Sequence, residues 1–176
     1  MIIISLGSNV TSRYGNSDNT IQAALRELES VGIKVLRHSR LYRTQPYGLS
    51  RQPNFTNAVA VISTSRPPRA LLSLLKRIER RAGRRPSMRW GPRALDLDII
   101  DYNGRILNWT QRNRQPKSTI SVLILPHPGT ALRAFVLQPI LDIAPFWHHP
   151  VSGLTASQLL MRLGHAKMGR IIESIG

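Results

Sequence analysis

Hydrophobic residues along the chain fall into short runs that predict strands and into longer periodic segments that predict helices. Apolar runs at 2–6, 55–63 and 95–102 are too short for typical helices and adjoin polar turn residues, as buried strands do. A looser alternation of apolar and polar residues predicts a strand over 35–42. A further apolar segment predicts a strand over 120–125.

Two segments with apolar residues at helical spacing predict the main helices. The first begins at a cap formed by Asp18 or Asn19 and ends at Gly32. The second, over 67–83, starts with two prolines, which suit the first turn of a helix, and ends at a glycine. Shorter helical segments are predicted at 131–140 and 157–163. The order strand, helix, strand, strand, helix, strand favours an α+β sandwich of the split βαβ kind.

The length of 176 residues predicts a single domain over 1–176. A polar, basic segment around 103–121 is interpreted as an inserted arm or hairpin. The chain contains no cysteine, which excludes a disulfide framework, a thiol nucleophile and a cysteine zinc site. No apolar run approaches the length of a membrane-spanning helix. The apolar start of the chain lacks the features of a signal peptide, so we expect a cytoplasmic protein that does not contact a membrane.

The charge of the chain indicates anionic partners. The formal net charge is +16, and 21 of the 25 basic residues are arginine. Such a surplus fits nucleic acid, nucleotide phosphates or an acidic surface. Arginine favours planar, bidentate contact with phosphate or carboxylate groups. The charge alone does not choose among these partners.

The most informative segment for chemistry is the strand over 95–102, which carries Asp96 and Asp98. Side chains two apart in a strand lie on the same face, about 6.6 Å apart along it, so the two carboxylates can converge on adjacent cations. Mg²⁺ prefers one or two carboxylates together with water and substrate phosphates. Four arginines lie just upstream, at positions 84, 85, 89 and 93. Metal ions beside arginines can stabilise a transferring phosphoryl group, although the acidic pair alone would also fit a solvated strand face.

Residues 89–100, Arg-Trp-Gly-Pro-Arg-Ala-Leu-Asp-Leu-Asp-Ile-Ile, resemble the signature of the hydroxymethyl-dihydropterin pyrophosphokinase family. Three further segments resemble this family in the same order, at 4–9, 42–57 and 126–145. Together the four segments span most of the chain.

The resemblance implies a ferredoxin-like α+β sandwich, with a mostly antiparallel sheet, helices packed on one face and a few extra elements. It also implies transfer of pyrophosphate from ATP to the hydroxymethyl group of 6-hydroxymethyl-7,8-dihydropterin in folate biosynthesis, with release of AMP. We therefore expect ATP as co-substrate, two Mg²⁺ ions held by Asp96 and Asp98, and a monomer whose partners are ATP and a reduced pterin.

The resemblance also assigns residues to the pterin. Asn57 would bind the edge of the pterin through its side chain, helped by backbone groups near Thr44 and Tyr47. Phe55 and Phe135 would stack on the two faces of the ring, an arrangement that suits a flat heteroaromatic group. Without the resemblance, the two phenylalanines would be read as ordinary core residues.

The resemblance assigns a second set of residues to ATP and catalysis. Arg84, Arg93, His127 and Arg133 would contact the phosphates and the reacting groups, and Trp90 would close over the site as a lid. The residues placed against ATP are Glu79, Arg84, Arg89, Ile99, His127 and Arg133. His127 lies between two prolines and could otherwise be a simple turn residue.

The resemblance leaves some features unexplained and some alternatives open. Lys76, one helical turn before Glu79, stands where a glutamine can occur in relatives. The basic arm at 103–121 and the charge of +16 have no counterpart in the family pattern. The alternatives are a basic nucleic-acid-binding module, which lacks the aromatic signature of RNA-recognition domains, and a divergent member that acts on a related pterin or binds without catalysis.

Overall fold

The computed structural model describes residues 1–46, 51–85, 91–110, 122–164 and 169–175. Within these ranges the chain forms an antiparallel sheet of six strands and four α-helices. In chain order the elements are β1 (Ile2–Ser8), α1 (Ser17–Ser30), β2 (Lys34–His38), β3 (Leu41–Thr44), β4 (Phe55–Ser63), α2 (Pro68–Arg81), β5 (Asp96–Tyr102), α3 (Ala134–Ile143), α4 (Ala156–Leu163) and β6 (Ile171–Ile175).

The central strand of the sheet is β4, which pairs with three others. Along one edge it pairs with the whole of β1, and β5 lies beyond β1. Along the other edge, residues 55–57 pair with β3 and residues 60–63 pair with β2, so β2 and β3 lie end to end. The C-terminal strand β6 extends the sheet beyond β3. The hydrophobic segment of β4 therefore organises both halves of the sheet.

The pleat of the strands divides the core into two layers. Ile4, Ala60 and Leu97 lie in a cluster with residues of α1 and α2 on one face of the sheet. On the opposite face, alternate positions such as Val59 and Ile100 pack against α3 and α4. The α+β class and the antiparallel sheet are confirmed. The expectation of helices on one face holds only for α1 and α2, because α3 and α4 cover part of the second face.

Several predicted boundaries change in the structure. The cap of α1 is Asn16, whose side chain accepts a hydrogen bond from the backbone N–H of Asn19, so the prediction of Asp18 or Asn19 as the cap is wrong. The predicted strand over 35–42 is two strands, because the chain breaks at Ser39 and Arg40 between β2 and β3. The helix predicted over 131–140 begins only at Ala134, after a short 3-10 turn.

The predicted strand over 120–125 is wrong for the residues that can be compared. Residues 122–124 have no regular structure, and Leu125 forms only an isolated bridge with Leu107.

Strand β6 was not predicted. The arm predicted around 103–121 lies partly outside the described residues, since these end at 110 and resume at 122. No described helix is both long enough and apolar enough to cross a membrane.

Ser39 explains how the sheet accommodates the break between β2 and β3. Its hydroxyl accepts a hydrogen bond from the backbone N–H of Val59 at 3.0 Å and donates one to the carbonyl of Arg40 at 2.7 Å. The residue is 2% exposed. The hydroxyl thus provides an acceptor for a buried amide of the central strand where the neighbouring strands do not continue.

We predict that Ser39→Ala lowers the free energy of unfolding by about 1–3 kcal/mol, because it leaves the buried Val59 amide without this acceptor. Urea denaturation monitored by circular dichroism would measure the change. Ser63→Ala, at the exposed end of β4, is the matched control and should stay within about 0.5 kcal/mol of the wild type. Equal stability of the two variants would show that the Ser39 hydroxyl has no such role.

Candidate active site

A cavity of about 270 Å³ opens on the second face of the sheet, beside the part that α3 and α4 cover. It lies over the ends of β1, β4 and β5, where side chains alternate with the core positions of the same strands. Asp96 and Asp98 line one side of the cavity, and Phe55 and Asn57 line another. The two aspartates are therefore on the face away from Leu97, as the strand alternation predicted.

Both oxygens of Asp96 are held by arginines. Arg84 Nη1 donates to Oδ1 at 2.6 Å, and Arg93 Nη1 donates to Oδ2 at 2.6 Å. Arg84 also lies 2.6 Å from Oε2 of Glu79, so a single guanidinium joins two carboxylates. The carboxylates of Glu79 and Asp96 outweigh the effect of desolvation and raise the pKa of Arg84 above its ordinary value. The guanidinium groups thus provide the positive charge beside Asp96.

Asp98 has two different cationic or polar neighbours. Lys76 Nζ lies 3.4 Å from Oδ1, and His127 Nε2 lies 3.8 Å from Oδ2. Desolvation opposes ionisation of Asp98, but the positive charge of Lys76 and the other nearby cations outweighs it and lowers the pKa of Asp98 well below its usual range. Asp98 is therefore a carboxylate at neutral pH.

Glu79 connects α2 to β5 beneath the site. It is 2% exposed, and its Oε1 accepts hydrogen bonds from Lys76 Nζ at 2.7 Å and from the backbone N–H of Leu97 at 2.7 Å. Burial raises the pKa of Glu79, although Lys76 and Arg84 act against this shift. Lys76 itself has a raised pKa, since Asp98, Asp96 and Glu79 outweigh its desolvation. Leu97, which precedes Asp98 in β5, is thus hydrogen-bonded to α2, the helix that also carries Lys76.

His127 is a neutral imidazole at neutral pH. Desolvation, together with the charge of Arg133, lowers its pKa to about 4, although Asp98 acts in the opposite direction. Its Nδ1 accepts a hydrogen bond from the backbone N–H of Gly129 at 3.1 Å. The ring proton of this neutral form is therefore on Nε2, which faces Asp98 and is available as a donor.

Gly129 allows Arg133 to pack close to His127. A Cβ atom at position 129 would lie 2.7 Å from Arg133 Nε and 3.1 Å from His127 Cε1. The backbone at Gly129 has a φ of −86°, which any residue can adopt, so the reason for glycine is the close approach of these side chains. The Arg133 guanidinium carbon also lies 5.8 Å from the centroid of the Phe135 ring.

The opposite end of the cavity is aromatic and contains an amide. Asn57 is 7% exposed, and its Nδ2 donates to Thr44 Oγ1 at 2.8 Å, which fixes the orientation of the amide. Its Oδ1 lies over Gly7, where a Cβ atom would be only 3.0 Å away. Phe55 lies near the same glycine, and Phe135 also lines the cavity. The arrangement suits a flat ring that has hydrogen-bonding groups along its edge.

Asn9 joins the loops on the two sides of the cavity. Its Nδ2 donates to the carbonyl of Pro53 at 3.1 Å, and its Oδ1 accepts from the backbone N–H of Arg93 at 2.7 Å. Asn9 is 3% exposed. Because it fixes the backbone of Arg93, it helps to place that guanidinium on Asp96.

The aspartate pair fits a divalent cation that also binds a phosphate ligand. The described residues contain no cluster of three histidine, cysteine or acidic side chains that could hold a metal alone. Asp96 and Asp98 supply oxygen ligands, and the low pKa of Asp98 keeps it ionised. Mg²⁺ commonly binds one or two carboxylates and completes its shell with water and substrate phosphates. The two aspartates therefore fit Mg²⁺ as part of its ligand set, with water and substrate phosphates as the remaining ligands.

The structure brings most of the predicted site residues that it describes to one cavity. The predicted residues that line the cavity are Thr44, Phe55, Asn57, Arg93, Asp96, Asp98, His127, Arg133 and Phe135. Arg84 reaches the site through its ion pair with Asp96, and Glu79 reaches it through its ion pairs with Arg84 and Lys76. Tyr47, Arg89 and Trp90 lie outside the described residues. The side chain of Ile99 is 3% exposed and packs in the core with α1 and α2, so it does not reach the cavity.

Sequence reasoning did not place Lys76 or Gly129 in the site. A lysine one helical turn before a glutamate on the buried side of α2 was the available signal for Lys76. Gly129 gave no signal, because its role depends on side chains that approach it in three dimensions.

Comparison with known proteins gives a family for this arrangement. The family model described as 7,8-dihydro-6-hydroxymethylpterin-pyrophosphokinase (HPPK) matches residues 3–145. The chain is 38% identical over 159 residues to the 2-amino-4-hydroxy-6-hydroxymethyldihydropteridine pyrophosphokinase of Synechocystis sp., covering 90% of this chain and 73% of that protein. It is 33% identical over 169 residues to the protein of the same name from Methylorubrum extorquens, covering 96% of each.

Some relatives are much longer than this chain. It is 39% identical over 162 residues to the folic acid synthesis protein fol1 of Pneumocystis carinii, covering 92% of this chain but 20% of that protein. It spans 23% and 30% of two folate synthesis bifunctional proteins of Arabidopsis thaliana.

A solved structure shows the same fold. The crystal structure of wild-type Plasmodium falciparum HPPK-DHPS with SDX-DHP has a TM-score of 0.65 at 17% identity and covers 92% of this chain and 43% of that one. The match of the family model over most of the chain, and the identity to relatives of similar length, show that this chain belongs to the 7,8-dihydro-6-hydroxymethylpterin-pyrophosphokinase family.

Proposed function

We propose that this chain transfers the pyrophosphoryl group of ATP to the hydroxymethyl oxygen of 6-hydroxymethyl-7,8-dihydropterin and releases AMP. The observation that carries the proposal is one cavity that has the pair Asp96 and Asp98 with arginines at one end and an aromatic, amide-bearing pocket at the other. Family membership supports the same reaction, because relatives of similar length are named for this activity.

The aromatic end of the cavity is the proposed pterin pocket. Phe55 and Phe135 contribute the ring faces on which a pterin stacks. The hydrogen bond from Asn57 to Thr44 directs Oδ1 of Asn57 toward Gly7, where it can accept from an N–H group on the pterin edge. A pterin held there would direct its hydroxymethyl group toward the aspartates, which line the same cavity.

The basic end of the cavity is the proposed triphosphate site. Arg84 and Arg93 each donate one hydrogen bond to Asp96, and phosphate oxygens are alternative partners that a guanidinium group can bind through two hydrogen bonds. Arg133 and the Nε2–H of His127 are further donors on the same side. Asp96 and Asp98 would hold two Mg²⁺ ions, whose positive charge would offset the negative charge of the triphosphate and of the transition state.

The proposed reaction needs no covalent intermediate on the protein. The hydroxymethyl oxygen forms a bond to the β-phosphorus, and the bond from that phosphorus to the oxygen bridging the α- and β-phosphates breaks. AMP leaves with the bridging oxygen, and the hydroxyl proton passes to solvent. The residues of the site act by positioning the reactants and by stabilising negative charge, which are the principal sources of catalysis in phosphoryl transfer.

The proposal predicts that AMP forms from ATP and Mg²⁺ only when hydroxymethyl-dihydropterin is present. Chromatographic measurement of AMP, with and without the pterin, checks this directly. Release of ADP in place of AMP would contradict pyrophosphoryl transfer, and AMP release at the same rate without pterin would indicate a hydrolase.

Phe55→Ala should weaken pterin binding by about ten- to a hundredfold, because stacking on one aromatic side chain contributes about 1–3 kcal/mol for a base of similar size. Isothermal titration with the pterin would measure the change, and the affinity for ATP should stay near that of the wild type. Phe146→Ala is the matched control, since Phe146 is 87% exposed. A pterin affinity unchanged in Phe55→Ala would remove Phe55 from the pocket.

Gly129→Ala should reduce kcat/KM for ATP by about tenfold, a loss typical of one displaced charged contact, because the new methyl group occupies the position of the Arg133 guanidinium. The melting temperature should change little, since the end of a flexible side chain can move aside.

A double-variant comparison separates this effect from a general disturbance of the turn. In an Arg133→Ala background, Gly129→Ala should cause no further loss of kcat/KM. Additive losses would show that Gly129 acts independently of Arg133.

A further inference from the structure

Lys76 is a charged residue of the site to which neither the sequence motifs nor the proposed reaction gives a role. It lies in the middle of α2, and its ammonium group donates to Glu79 Oε1 at 2.7 Å and to the carbonyl of Leu97 at 2.8 Å. The same nitrogen lies 3.4 Å from Asp98 Oδ1. The side chain is 34% exposed, so it reaches the edge of the site from the helix below.

The cluster around Lys76 is balanced in charge before any ligand binds. Three carboxylates, from Glu79, Asp96 and Asp98, are joined through ion pairs to three cations. The cations are Lys76, Arg84 and Arg93. A divalent cation that approaches the two aspartates is therefore attracted by the carboxylates and repelled by these three cations and by Arg133, whose charge also acts on Asp98.

The three cations differ in how they can respond to a triphosphate. Arg84 and Arg93 contact Asp96 through their long side chains, and phosphate oxygens can replace that carboxylate as their partner. Lys76 is held differently, because one of its hydrogen bonds goes to the backbone carbonyl of Leu97 in β5. It therefore stays beside Asp98 when the arginines change partners.

We propose that Lys76 is a resident counter-ion of Asp98 that weakens binding of divalent cations at the aspartate pair until a triphosphate adds negative charge to the site. The proposal rests on the proposed function, in which Asp96 and Asp98 are the metal ligands. Its consequence is that the cation enters together with the nucleotide and not before it.

Two substitutions separate this role from a purely structural one. Lys76→Gln removes the charge but keeps an N–H donor for the carbonyl of Leu97, whereas Lys76→Arg keeps the charge. Arg77→Gln is the matched control, because it removes one positive charge at the next position of α2, on the exposed side of the helix. A structural role would make the two Lys76 variants similar, and a general effect of net charge would make Arg77→Gln resemble Lys76→Gln.

The test is a titration of nucleotide-free protein with Mn²⁺, in which electron paramagnetic resonance measures the free ion. Lys76→Gln should bind Mn²⁺ roughly tenfold more tightly than the wild type or better, since one positive charge beside the ligand carboxylate is lost. Lys76→Arg and Arg77→Gln should both stay within about twofold of the wild type, because each leaves a cation next to Asp98.

The proposal is overturned if Lys76→Gln binds Mn²⁺ no more tightly than the wild type, or if Arg77→Gln shows the same gain. The assay contains neither ATP nor pterin, so it is independent of catalysis. A tighter Lys76→Gln site in a chain that releases no AMP with pterin would reject the proposed function and retain the counter-ion. AMP release with pterin, in a protein whose Mn²⁺ affinity does not increase in Lys76→Gln, would retain the proposed function and reject the counter-ion role of Lys76.

Discussion

The mutual repulsion of three carboxylates at one end of the sheet is the constraint on which the site depends. Glu79 is buried beneath β5, and Asp96 and Asp98 project from the same strand above it. Such a group of negative charges is stable only if cations accompany it, and Lys76, Arg84 and Arg93 do so. If the two arginines released Asp96 and bound substrate phosphates, this self-neutralised cluster would become a binding site for a metal and a triphosphate.

The sheet delivers the other half of the site through the same alternation of side chains. Leu97 fills the core beneath, so its neighbours in β5 must face the cavity. On β4, Val59 packs against α3, while Asn57 and Phe55, further along the same face, line the cavity. The helices of the second layer cover only part of the face, and the uncovered part becomes the proposed pocket for a flat ring. One structural pattern thus places the charged end and the aromatic end within reach of a single substrate pair.

The sequence predicted those features of the protein that depend on the spacing of hydrophobic residues and on motifs of consecutive residues. The strand that carries Asp96 and Asp98 and the boundaries of β4 were of this kind, and the family followed from motif resemblance. The break at Ser39 was not predictable, because it depends on an amide of a neighbouring strand. Strand β6 lacks a clear alternation of buried and exposed residues, since it lies at the edge of the sheet. Lys76 and Gly129 were missed because their partners are distant in sequence or meet them only in the folded chain.

The central claim is that the aspartate pair becomes a metal site only together with the phosphates of ATP. Its most direct test is the affinity for α,β-methylene ATP, in which the bond that would break is replaced, measured by calorimetry with Mg²⁺ and again in EDTA. The account predicts that the nucleotide analogue binds the wild type only when Mg²⁺ is present. Asp98→Asn should lose most of the affinity for the analogue, and the affinity that remains should not depend on Mg²⁺. Equal affinity with Mg²⁺ and in EDTA would contradict it, because the arginines alone would then hold the triphosphate.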